Sequence, residues 1–226
     1  MKALLGFILD WSEVWALLIP IIYFFFHRRQ PAFLKPVIIY LFAALLLNLT
    51  GNIIAEYKIY LPWWLQSNNP LYNVHSVIRF ICFSYFFIAL NQQAFKKWLY
   101  ILPNLSLLII IINFSTVENF GNPNHLSGNL LAAEAYLLLI YCMLYYLAKL
   151  REEESDLSSG PDFWIVTGLS IYVVINFFVF LFYVPMINQN PALADNIWNV
   201  HNIAYILFCI FITKAFYASA RHQLTV

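Results

Sequence analysis

Charge is scarce in this sequence: of 226 residues only 10% are Asp, Glu, Lys or Arg, against 62% apolar and 19% aromatic. A water-soluble domain carries about 25% charged residues and about 45–50% apolar ones. An apolar surplus of this size has no core large enough to hold it, because a soluble globule must still present a polar surface. The mean hydropathy of +0.72 agrees. A basic stripe is missing too. Net charge is +1, which argues against nucleic acid as a partner, since that contact needs clustered Lys and Arg. Cysteine is limited to Cys82, Cys142 and Cys209, with no CxxC pair. That excludes a disulfide framework and the common structural zinc spacings, leaving small buried hydrophobes. No inter-helix segment is long enough for a kinase or nucleotide-binding domain, so any signalling would need a partner protein.

Long apolar runs dominate. In hydrocarbon a spanning segment must satisfy its own backbone, so runs of about 20 residues read as helices. The sequence predicts seven: 11–27, 36–56, 71–91, 98–114, 129–149, 162–183 and 196–217. Continuous rather than alternating hydrophobicity excludes a β-barrel. The expected fold is therefore all-α, a polytopic membrane protein forming a single transmembrane domain. The first ten residues resemble a signal peptide only superficially: Asp10 and Glu13 follow ALLGFIL with no small-residue cleavage site. They are expected to form an interfacial stub.

Lys and Arg in the loops predict orientation. Arg28, Arg29, Lys35, Lys96, Lys97, Lys149, Arg151, Lys214 and Arg221 fall on one side, and Lys2 and Lys58 on the other. This places the N-terminus outside and the C-terminus in the cytoplasm, as in a bacterial inner membrane protein. Trp11, Trp15, Trp63, Trp64 and Trp198 then form an outer aromatic belt, with Trp98 and Trp164 near the inner face. The acidic stretch 151–156 reads as a solvated cytoplasmic loop before Pro161, which suits the first turn of a helix.

Laying the chain on itself reveals ordered matches. EVWALLIPIIYFFFHRR (13–29) aligns with EAYLLLIYCMLYYLAKL (134–150), pairing Glu13 with Glu134. Tyr60-x-Pro62 matches Tyr183-x-Pro185, and Asn69-Pro70 matches Asn190-Pro191. LYNVHSV (71–77) matches IWNVHNI (197–203), pairing His75 with His201, and Asn52 aligns with Asn176 after one gap. The expected plan is a repeat over 11–91, a linker helix 98–114, and a second repeat over 129–217. An odd linker makes the halves parallel, related by an axis along the membrane normal.

This three-plus-one-plus-three plan resembles SWEET and PQ-loop proteins and, more loosely, heptahelical receptors, at the level of architecture. The proline-glutamine hinge of PQ-loop proteins is absent, since Pro20 faces Tyr141 in the alignment. The sequence also looks like a family of short bacterial seven-helix membrane proteins of unassigned activity, through Asn69-Pro-Leu-Tyr72, Phe163-Trp164 and Trp198-Asn-Val-His201. Members are often encoded beside sensor kinases. That resemblance implies signalling, and the SWEET-like one implies small-solute transport.

The polar residues inside the predicted helices carry the functional reading. Glu13, Asn52, His75, Arg79, Glu134, Asn176 and His201 all fall toward the outer ends of their helices. Arg79 is expected roughly 10 Å below the start of its helix. An intramembrane charge costs about 2.5–3.5 kcal/mol even on the lenient insertion scale, so it faces a partner or a water-filled cavity. Arg79 is expected to pair with Glu13 or Glu134. Together the seven predict an outward-open pocket for a small polar or ionic ligand, and a receptor or sensor rather than an enzyme. The alternative use of the same residues is structural pairing between helices.

Two other chemistries use the same set. His75, His201, Glu13 and Glu134 include the donor types of a zinc site, though without HExxH spacing. A metal-dependent intramembrane hydrolase would need such a site, yet His201 is followed four residues later by Tyr205 where HxxxH is wanted. Ser76 adjoins His75 in sequence, but adjacent helical side chains point about 100° apart. His27, His125 and His222 are expected in loops or tails.

Overall fold

The computed structural model describes residues 2–90, 96–113, 118, 126–151 and 160–224. Positions 91 and 114 at two expected helix ends, residues 152–156 of the acidic stretch, His125, and the side chains of Lys2, Trp64 and His222 lie outside the described residues. Among the described residues eight α-helices follow one another: α1 Lys2–Asp10, α2 Ser12–Phe26, α3 Lys35–Tyr57, α4 Asn69–Ala89, α5 Lys96–Ile112, α6 Gly128–Arg151, α7 Pro161–Gln189 and α8 Pro191–Leu224. No strand occurs among the described residues. Prolines sit in the first turn of α3, α4 and α7, where the missing N–H has no helical partner to lose. Pro20, Pro103 and Pro185 lie inside helices, as neighbouring helices permit in membrane bundles.

The chain is an all-helical polytopic membrane protein. Each of the seven expected runs is helical, and five helical stretches are long and apolar enough to cross a membrane: Ala32–Tyr60, Asn69–Ala89, Gly128–Arg151, Pro161–Ile187 and Pro191–Arg221. The other two, α2 and α5, have 15 and 17 residues, about 22 and 26 Å of helix against a hydrocarbon thickness of about 30 Å. The N-terminal stub is itself a helix. Trp11 alone interrupts α1 and α2: its N–H still bonds Phe7 O at 3.2 Å, and its carbonyl accepts from Val14 and Trp15. The Trp15 indole then ties the segments by donating to Ile8 O at 2.9 Å.

Helix packing closes a ring in chain order. α2 packs on α3, α3 on α4, α4 on α6, α6 on α7, α7 on α8, and α8 returns to α2. α5 lies outside this ring against α4 and α6, and α1 touches α2 and α8. The interior is aromatic: Tyr40, Phe83, Phe86, Phe87, Tyr141, Tyr172, Tyr205, Phe208 and Phe216 are fully buried. All three cysteines are buried and free. The exterior is greasy, with Phe26 80% and Leu46 66% exposed among many large apolar side chains. A bilayer, unlike water, gives such a surface no reason to hide.

Gly168 permits a close approach of α7 to α8. A Cβ there would meet Phe211 Cβ of α8 at 2.4 Å, so only glycine lets α7 and α8 come this near.

Candidate functional site: a buried polar network

Helical periodicity gathers the polar side chains before any tertiary contact is made. Tyr72, Ser76 and Arg79 share one face of α4 at spacings of four and three. The pairs Tyr172 with Asn176 on α7, and His201 with Tyr205 on α8, repeat the four-residue spacing. All of these faces point into the ring.

Glu134 of α6 is the most heavily bonded acceptor. Arg79 donates from Nε to Oε1 at 2.6 Å and from Nη2 to Oε2 at 2.5 Å. Ser76 Oγ adds a third bond to Oε2 at 2.8 Å. The remaining guanidinium arm, Nη1, donates to the Tyr172 hydroxyl at 2.6 Å. The paired fork is the strongest geometry available to a guanidinium and a carboxylate.

Glu13 of α2 has a different set of partners. Its Oε1 meets His201 Nε2 at 2.8 Å, and its Oε2 accepts from the Tyr72 hydroxyl at 2.9 Å. On the far side of the imidazole, His201 Nδ1 bonds Asn176 Oδ1. Asn176 is oriented by its own amide nitrogen, which donates to Tyr172 O at 2.8 Å. Its Oδ1 is therefore the acceptor and His201 Nδ1 the donor. One proton is then left for the Nε2–Oε1 contact, carried by the ring or by the carboxyl group.

Asn48 of α3 completes this half, donating to Glu13 O at 3.1 Å and to the Tyr205 hydroxyl at 3.5 Å. The Tyr205 hydroxyl lies 3.4 Å from that of Tyr40. Tyr172 bridges the halves of the network: its hydroxyl serves Arg79, and its carbonyl serves Asn176.

Of the seven residues expected to form a site, five are thus joined: Glu13, Asn176 and His201 in one group, Arg79 and Glu134 in the other. Of the two partners expected for Arg79, the structure joins it to Glu134. His75 lies alongside, its ring stacked on Tyr40 with centroids 5.7 Å apart and its buried Nε2 without a partner. Asn52 lies outside the network, half-buried, with an amide nitrogen that bonds nothing. Asn48, one turn earlier, takes its place because that turn is level with the Glu13 carbonyl.

Two features differ from expectation. First, the carboxylates and the amide are buried, Glu13 at 4% exposure, Glu134 at 5% and Asn176 at 0%, with Tyr72 half-buried at the Glu13 end. A void of about 10 Å³ beside Ser76 and Glu134 holds at most one water. Second, the network reaches deeper. Arg79 is the central residue of α4, roughly 15 Å from its start, because the helix begins at Asn69 instead of residue 71.

The four residues with zinc-donor chemistry do not make one donor set as placed. Both Glu134 oxygens accept from Arg79, and Glu13 is held by His201 and Tyr72. Among the described residues no three His, Cys, Asp or Glu gather as a metal site. Ser76 is committed to Glu134 rather than to His75.

The network members that sequence reasoning missed are Asn48, Tyr40, Tyr72, Tyr172 and Tyr205. The available signal was spacing: Tyr172 stands four before Asn176, and Tyr205 four after His201. The chain matches no protein-family model, no curated protein and no solved structure.

Proposed function

We propose that this is a seven-helix cell-membrane receptor or sensor, with its N-terminus outside, that recognises a small polar or ionic ligand by opening the buried network. The change would pass to a partner protein at the cytoplasmic side. One observation carries the reading. Each of the two carboxylates is satisfied by a helix across a seam of the ring: Glu13 on α2 by His201 on α8, and Glu134 on α6 by Arg79 on α4.

Those seams lie between the segments α2–α4 and α6–α8, which correspond to the two sequence repeats. Glu13 and Glu134, aligned in sequence, thus both reach across to the third helix of the other triplet. Well-packed apolar residues hold a core at least as stably as buried ion pairs do. Retaining charge at both seams suits an element with two packings, and a ligand that competes for one carboxylate or cation shifts their balance. Lys and Arg asymmetry supports the orientation.

A second reading is favoured by depth. Arg79 at the middle of α4 suits a transporter whose halves rock about a midplane site. The test is a panel of small polar and ionic solutes offered to the protein in nanodiscs and in liposomes. Saturable binding without counterflow, abolished in Glu13→Gln, supports the receptor. Solute counterflow replaces it with the transporter, and absence of any binding across the panel sinks both.

A further inference from the structure

Three arginines converge far from the buried network. α2 ends at Phe26, and the chain then reads His27-Arg28-Arg29-Gln30. This turn is fixed in place: the His27 N–H bonds Tyr23 O and Phe24 O at 3.1 Å, and Gln30 Nε2 donates to His27 O at 2.9 Å. The His27 ring stacks on Tyr23 with centroids 4.4 Å apart. Opposite stands the last stretch of α8, where Tyr217 and Arg221 share a face at a spacing of four.

Between them lies a cavity of about 910 Å³, large enough for a small-molecule ligand, whose sites run to about 300–1,000 Å³. Arg28, Arg29 and Arg221 supply its charge, and Tyr23, Phe26 and Tyr217 its aromatic walls. Among the described residues that line it there is no Asp or Glu. Lys214, one turn before Tyr217, lies 5.3 Å over the rings of both Trp164 and Tyr217, adding positive charge and an aromatic girdle at the same end of the bundle.

A ligand for this site needs an anionic head matched to guanidinium forks and an apolar part to lie against the exposed Phe26. Phosphate meets the first need and an acyl chain the second.

We propose that the cavity between the end of α2 and the end of α8 binds a phosphate-bearing anion, seated as the headgroup of an anionic phospholipid. The assignment rests on the membrane reading of the chain, which has its own control: carbonate extraction of membranes must leave the full-length protein in the pellet. Native mass spectrometry of the delipidated protein then counts adducts from equimolar phosphatidylglycerol and phosphatidylcholine.

The expected result is a phosphatidylglycerol preference of at least about tenfold, lost in the R28Q/R29Q/R221Q variant and kept in K96Q/K97Q. Inorganic phosphate in excess should leave the lipid adduct in place. Equal adducts of the two lipids, or a preference that survives R28Q/R29Q/R221Q, would overturn the site. Displacement by inorganic phosphate alone would overturn the lipid assignment and identify a soluble anion. Circular dichroism of the triple variant shows that a lost preference is not lost folding.

Discussion

Arg79 meets Glu134 through two parallel hydrogen bonds in the interior of the ring, at 2.6 and 2.5 Å, while its third nitrogen reaches the Tyr172 hydroxyl. Both side chains are buried, Arg79 at 3% and Glu134 at 5% exposure. Removing one partner therefore leaves the other as an uncompensated buried charge. Arg79→Met and Glu134→Leu should each lower stability by about 3–5 kcal/mol. The double variant should recover much of that loss, because both charges leave together. Unfolding in detergent of the four proteins checks this, and a double variant as unstable as the sum of the singles would contradict it.

Glu13 and His201 make the corresponding contact at the other seam, with Tyr72 and Asn176 holding the far sides of each. Their coupling is measurable on its own. A double-mutant cycle of Glu13→Gln and His201→Phe should return an interaction energy of about 0.5–3 kcal/mol. A cycle pairing Glu13→Gln with Arg79→Met, whose side chains bond different partners, should give less. Equal coupling in both cycles would mean that the two seams do not act as separate contacts.

Asn48 and Asn52 stand one turn apart on α3 and differ in what they touch. Asn48 bonds the Glu13 carbonyl and the Tyr205 hydroxyl, whereas the Asn52 amide nitrogen bonds nothing. Asn48→Leu should cost about 1–3 kcal/mol through the acceptors it abandons. Asn52→Leu should change stability by under about 0.5 kcal/mol. Thermal midpoints of the two variants decide the order, and a costlier Asn52→Leu would refute it.

This pair also shows where sequence reasoning stops. Apolar run length is a strong signal, because the bilayer forbids unsatisfied backbone, and every expected run is helical. Hydropathy sets the residues before 11 apart from the first span, but it does not show that they form a helix, α1, with Trp11 alone between it and α2. Rare residues such as Arg79 and Glu134 stand out against an apolar background, so their pairing was open to expectation. Tyr72, Tyr172 and Tyr205 do not stand out, since a sequence with 15 tyrosines offers no contrast, and their hydroxyls join the network only through the ring geometry. Alignment with Asn176 singles out Asn52, yet helix depth relative to Glu13 makes Asn48 the amide that is used.

Gly168 and Gly51 lie within α7 and α3, and helix propensity alone predicts that alanine stabilises each by about 1 kcal/mol. Packing separates them. At Gly51 an added Cβ finds its nearest neighbour, Asn68 Cβ, at 3.7 Å, an ordinary contact. At Gly168 it would overlap Phe211 Cβ at 2.4 Å and press on Phe208 at 3.3 Å. Phe211 Cβ is fixed to its backbone, so relief requires α8 to move, at a cost of about 1–3 kcal/mol. Gly51→Ala should leave the unfolding midpoint unchanged or raise it. Gly168→Ala should lower it and, because α7 and α8 carry Tyr172, Asn176 and His201, should weaken the Glu13–His201 coupling in the cycle described above. A neutral Gly168→Ala would show that α7 and α8 do not pack at this distance.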